Sequence, residues 1–166
     1  MVAMAHASEE PTGFVLTLEG EDAALSLGAR LATICRPGDV IALWGGLGMG
    51  KTVIARGFVR ALLGPNEEVP SPTFTLVQPY DGPDATLYHF DLYRLNDPEE
   101  AFELDIEDAF AEGISLIEWP ERLGPYLPAG RLDLRLSPGG NETQRRVSLS
   151  GGGDWTERLK RAELHD

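Results

Sequence analysis

WGGLGMGKTV, residues 44–53, is a glycine-rich run closed by a lysine and a threonine. Its spacing, Gly45-x-x-x-x-Gly50-Lys51-Thr52, meets the phosphate-loop pattern at every required position. Glycines admit left-handed backbone and close approach, so successive N–H groups can converge on one phosphate. A helix starting near Thr52 adds its N-terminal dipole. Lys51 is expected to bridge the β- and γ-phosphates of a nucleotide, and the Thr52 hydroxyl to ligate Mg2+. The expected nucleotide-binding set is Gly45, Gly46, Leu47, Gly48, Met49, Gly50, Lys51 and Thr52.

Working outward, the flanks supply the strand–loop–helix order such a cradle needs. DVIALW (39–44) is nearly unbroken in apolar residues, as in a strand buried on both faces of a parallel sheet. TVIARGFVRALLG (52–64) has helical apolar spacing, with Gly64 as its C-terminal cap. GFVLTL (13–18) reads as an opening strand, and Ala24, Leu27, Leu31 and Ile34 define an amphipathic helix over 21–35. SPTFTLVQPY (71–80) and TLYHFDLYRL (86–95) flank DGPD and predict a β-hairpin. A short helix is expected from Asp97, and a second helical piece ends at Gly113. ISLIEW (114–119) is another buried-strand pattern, stopped by Pro120. RLDLRLS (131–137) and RRVSLS (145–150) predict a terminal hairpin with one wet face. These patterns give one domain over 13–150, a flexible extension over 1–12, and a flexible link and charged tail over 151–166.

Composition sets outer limits. A chain of 166 residues buries roughly two thirds of its unfolded surface as one domain. The single Cys35 excludes an internal disulfide and a cysteine zinc site, and reads as buried filler at a helix end. There is no apolar run of the roughly 18 residues needed to span a membrane. The opening MVAMAHASEE has neither the charge nor the apolar core of a secretory signal, so the expected location is the cytoplasm. A net charge of −13 argues against unaided binding to a polyphosphate backbone, so any role with nucleic acid is expected to pass through a protein partner.

A phosphate loop needs a second acidic group to hold its metal, usually at a strand end. Glu118 ends ISLI, and Asp91 follows apolar residues in YHFDLY. The residues alone leave open which of the two binds metal and which orients water. Ser71 and Thr73, in SPTFT, stand where switch segments sense a γ-phosphate in other nucleotide hydrolases, with a plain edge-strand entry as the alternative. His89 reads as a structural histidine, with a base beside Asp91 as the alternative. Trp44, Trp119, Tyr88, Phe90 and Tyr93 read as core and rim packing, one of them a candidate to stack on adenine.

Taken together, GGLGMGKT, SPTFTLVQPY, YHFDLYRL and LIEWPERL resemble the TsaE family, formerly YjeE, over about Gly38 to Pro128. These are the small bacterial ATPases of the tRNA threonylcarbamoyladenosine pathway. The resemblance implies a three-layer α/β P-loop NTPase fold, mainly a parallel sheet with antiparallel hairpin additions. It implies ATP and Mg2+, with Thr52 and Glu118 at the metal-binding positions and Asp91 near the γ-phosphate. It also implies a partner, the TsaB–TsaD complex, with tRNA met only through that complex. One position departs from the family, which usually has Asp where this chain has Gly46; this removes a carboxylate beside the phosphates.

The expected chemistry is metal-assisted hydrolysis, with Lys51, Asp91 and Glu118 as the catalytic residues. Lacking an evident arginine finger, turnover should be slow until a partner completes the site. Arg94 and Arg122 are candidates in cis. The first rival is a small-molecule kinase using Asp91 as base, but residues 96–113 contain no Lys or Arg to build a cationic lid. The second is a nucleotide-gated binding module whose hydrolysis is incidental.

Overall fold

The computed structural model describes residues 13–164. The elements run β1 (Phe14–Glu19), α1 (Gly20–Ala32), β2 (Val40–Trp44), α2 (Lys51–Leu63), β3 (Val77–Asp81) and β4 (Thr86–Asp91). A 3-10 segment (Pro98–Leu104), α3 (Ile106–Glu112), β5 (Ile114–Glu118) and a second 3-10 segment (Pro120–Tyr126) follow. The chain then forms β6 (Leu132–Pro138), β7 (Gln144–Gly151) and α4 (Trp155–Arg161).

All seven strands join one mixed sheet, ordered β1-β7-β6-β2-β5-β4-β3. The four central strands β6, β2, β5 and β4 are parallel neighbours. The three outer pairings, β1 with β7, β7 with β6 and β3 with β4, are antiparallel. Five strands, β1, β6, β2, β5 and β4, therefore run the same way, as expected of a mainly parallel sheet with hairpin additions; β7 and β3 run against them, and the place of β7 between β6 and β1 makes three of the pairings antiparallel.

Alternation along the central strands sends side chains to two cores. On one face Ile41, Leu43, Leu87, Ile114 and Leu116 pack under α1, α2 and α4. On the other, Val40, Phe90 and Ile117 pack against α3 and the 3-10 segments through Ala101, Ile106, Ala109 and Leu123. Period two then places His89 and Asp91 on the α2 side with Leu87, and Glu118 there with Leu116. The parallel register pairs Asp91 with Glu118 and Leu43 with Glu118, so three strands end level beneath the start of α2. A reciprocal glycine contact brings α1 and α2 together. A Cβ on Gly28 would meet the Ile54 carbonyl oxygen at 2.1 Å, and one on Gly57 the Leu25 carbonyl oxygen at 2.2 Å.

Three expectations change. Residues 71–76 do not extend the hairpin; they fold into a turn in which Leu76 has φ 69° and its carbonyl accepts from Asp91 N at 2.9 Å. The helix expected from Asp97 is a 3-10 segment, although Asp97 does cap it, accepting from Glu99 N at 3.0 Å. The stretch 151–164 is not a flexible link and tail: Gly151 closes β7, and Trp155, Leu159 and Ala162 enter the larger core. A helix with so few apolar positions has little pattern to read, but each of those positions is buried here. Residues 1–12 and the last two of the expected tail lie outside the described residues.

Candidate active site

The phosphate loop leaves β2 at Trp44 and enters α2 at Lys51. Its turn needs the left-handed backbone of Gly48 (φ 77°) and Gly50 (φ 108°), which costs any residue with a Cβ. Gly50 is the N-cap of α2, no side chain caps that helix, and its first turn carries no acid. The leading N–H groups of α2 lack intrahelical acceptors and point their dipole into the adjoining cleft.

That cleft, about 340 Å³, is lined by Leu47 to Val53, Ser71, Thr73, Asp91, Glu118 and Trp119. It gathers residues from four separate parts of the chain, and every predicted site residue except Gly45 and Gly46 lines it. Those two glycines act from behind, their carbonyls accepting hydrogen bonds from Lys51 Nζ, Gly46 at 3.3 Å. The Lys51 ammonium also lies 3.6 Å from the centre of the Trp119 ring. Burial lowers the Lys51 pKa, and the opposing attraction of Glu118, Glu121 and Asp91 only partly offsets this.

Two acids on neighbouring strands have different partners. Glu118 is buried and faces α2: Thr52 Oγ1 donates to its carboxylate, 2.8 Å from Oε2 and 3.0 Å from Oε1. His89 Nε2 approaches the same Oε2 at 2.7 Å. Asp91 turns to the 71–76 turn instead. Its Oδ2 accepts from Thr73 Oγ1 at 3.1 Å and Ser71 Oγ at 3.3 Å, and its Oδ1 from Tyr93 N at 3.1 Å. The alternatives left open by the residues are thus separated by geometry: Glu118 stands with Thr52, and Asp91 with the two hydroxyls.

Sequence reasoning undervalued two residues. His89 does not contact Asp91 as a base would; its one hydrogen-bond partner among the described residues is Glu118. The available signal was its period-two spacing from Asp91. Trp119 was read as packing, yet it holds a left-handed backbone (φ 61°), covers Lys51, and lies tilted against Tyr93 with ring centres 4.9 Å apart. Arg94 and Arg122 do not line the cleft; Arg94 lies over the Phe74 ring and Arg122 over Tyr93. Trp44 turns away from the site, donating to Asp133 at 2.8 Å.

A second cavity of about 250 Å³ shares Gly48, Met49, Gly50 and Val53 with the first and continues past them. Its walls are mostly aliphatic, with Leu18, Ala24 and Leu136 facing Thr143 and Arg145. Of the five aromatics weighed for a stacking role, only Trp119 lines either cavity, at the Lys51 end. Among the described residues no helix is long and apolar enough to cross a membrane.

Comparison with known proteins agrees with this arrangement. The family model for the threonylcarbamoyl adenosine biosynthesis protein TsaE matches residues 18–147. The chain is 38% identical over 119 residues to the tRNA threonylcarbamoyladenosine biosynthesis protein TsaE of Rickettsia bellii, covering 72% of this chain and 83% of that one. It is 37% identical over 128 residues to the protein of the same name from Bacillus subtilis, covering 77% and 79%. The crystal structure of Bacillus subtilis YdiB superposes with a TM-score of 0.73 at 27% identity, covering 91% of this chain and 94% of that one. With phosphate loop, switch-like turn and strand-end acids all inside the matched span, the chain belongs to the TsaE family of tRNA threonylcarbamoyladenosine biosynthesis.

Proposed function

We propose that this protein is a Mg2+-dependent ATPase of a P-loop NTPase fold, acting in the cytoplasm on the TsaB–TsaD complex and meeting tRNA only through it. The observation that carries the reading is the Thr52–Glu118 pair, 2.8 Å apart at the uncapped start of the helix that follows the glycine turn. That pair offers two hard oxygen donors. Among the described residues no three His, Cys, Asp or Glu side chains cluster to hold a metal alone. A donor set this small suits Mg2+, which keeps waters and takes substrate phosphate oxygens for its remaining positions. When bound, the ion neutralises charge developing on the β- and γ-phosphates.

The chain's own residues do the rest. Loop N–H groups and the α2 terminus hold the phosphates, and Lys51 exchanges its carbonyl partners for phosphate oxygens. Asp91, tied to Ser71 and Thr73, links the γ-phosphate end to the switch-like turn and positions water. The second cavity, continuous with the loop and largely aliphatic, takes the adenine. With Arg94 and Arg122 stacked on aromatic rings outside the cleft, a partner is needed to supply the missing stabilisation. Leu47 and Phe74, 70% and 83% exposed at the rim, offer that partner an apolar edge.

The kinase reading is disfavoured because residues 98–112 pack onto the core through Ala101, Ile106 and Ala109 rather than standing free as a lid. The test is reconstitution of tRNA modification from purified components. Wild type should sustain multiple turnovers and release phosphate faster with TsaB–TsaD, whereas Lys51→Ala and Glu118→Ala should not. Product from both variants equal to that of wild type would overturn the assignment. Asp91→Ala that retains ATP binding and still supports modification would favour a nucleotide-gated module.

A further inference from the structure

We propose that His89 is a positioning residue that fixes the Glu118 carboxylate for a divalent cation; the proposal rests on the reading of Thr52 and Glu118 as the Mg2+ pair. His89 is completely buried in the middle of β4, so the sheet holds its backbone on both sides. Its Nε2 lies 2.7 Å from Glu118 Oε2, and its Nδ1 is buried without a hydrogen-bond partner. A carboxylate only accepts, so Nε2 carries the hydrogen and donates. Among the described residues Nδ1 faces no partner, so the ring's one side-chain hydrogen bond is the one to Glu118.

The Thr52 hydroxyl has a single hydrogen and lies near both carboxylate oxygens, so it cannot by itself choose between the carboxylate's orientations. His89 can, because it reaches Oε2 alone. With Oε2 tied to the sheet, Oε1 is the carboxylate oxygen left for a cation, and Thr52, whose one hydrogen goes to the carboxylate, keeps its oxygen lone pairs for the same ion. Such outer partners orient metal ligands and raise their affinity.

The discriminating substitutions differ in reach. The Gln side-chain amide falls near the place of Nε2, and the Asn amide near that of Nδ1, short of Glu118. Binding of a non-hydrolysable ATP analogue is followed by calorimetry against Mg2+ concentration and again in EDTA. His89→Asn and His89→Leu should raise the Mg2+ midpoint by about 10- to 100-fold while leaving Mg2+-free binding nearly unchanged. His89→Gln should return most of the loss. If Gln is no better than Asn, or if binding in EDTA falls as far as binding in Mg2+, His89 is a packing residue and the proposal is wrong. Should His89→Leu fail to fold, the Asn and Gln pair still decides. A wild type whose binding ignores Mg2+ would instead overturn the Thr52–Glu118 reading, and this inference with it.

Discussion

Two buried ionic clusters stand at different places in this molecule, and they are built to different standards. Around Arg158 each guanidinium nitrogen has a partner. Its guanidinium donates to Ile34 O and Asp39 Oδ1, each at 3.1 Å, also reaches Asp39 Oδ2 and Asp154, and lies 3.9 Å from the centre of the Trp155 ring. Around Thr52 the accounts are left open. Lys51 has two carbonyls and a ring face, His89 Nδ1 has nothing, and the first turn of α2 has no cap. A saturated cluster rivets α4 to the end of α1 and the start of β2. An unsaturated one is a place where a ligand completes the hydrogen bonding.

The contrast is sharpest in Arg158→Ala. Removing one partner of a buried pair leaves Asp39 without its counter-charge and with only the Arg36 N–H, at 2.8 Å, so the fold should lose about 3 kcal/mol by denaturant titration. ATP affinity of the protein that remains folded should hold. Lys51→Ala should invert that outcome, weakening ATP binding on the order of 100-fold by calorimetry, as for the loss of strong charge-assisted bonds, with little loss of melting temperature. Equal stability losses in the two variants would erase the distinction.

Glu118→Gln is isosteric and should leave Mg2+-free nucleotide binding in place while removing most of the Mg2+ enhancement, read in the same calorimeter. The pH response is smaller. Burial lowers the Lys51 pKa below its usual 10.5, so its charge opposes folding. That penalty is full below the folded-state value and fades as pH rises toward 10.5. The melting temperature of ligand-free wild type should therefore gain on that of Lys51→Met as pH rises through this window. The opposite trend would mean that the carboxylates, not burial, dominate the lysine. Smallest of all is Gly46→Asp. A Cβ there meets nothing within 4 Å and the backbone is not left-handed, so stability should change by less than about 0.5 kcal/mol.

The site end was legible because its chemistry is local. Gly45 to Thr52 are contiguous, and Glu118 ends an apolar run, so periodicity alone set it at a strand tip; Asp91 lay inside a strand expected to run on to Leu95, and the structure ends that strand at Asp91. The resemblance of SPTFT, HFDLYR and EWP then tied those tips to one family. The other cluster left no such trace. Arg158 and Asp39 are 119 residues apart, and an arginine in a charged stretch looks like surface. The same distance hid the Gly28–Gly57 contact, since a helical glycine carries no sign that a neighbouring backbone will press on it.

By itself the sequence determined the phosphate turn, the alternation of strands and helices, and the acids available to it, because these follow from residue type and from periods of two and 3.6 residues. Only the tertiary structure decided that Glu118 faces Thr52 while Asp91 faces the turn, that His89 supports the first of them, and that the last helix belongs to the core. Those choices are made by strand register and by burial, which depend on what the rest of the chain brings alongside.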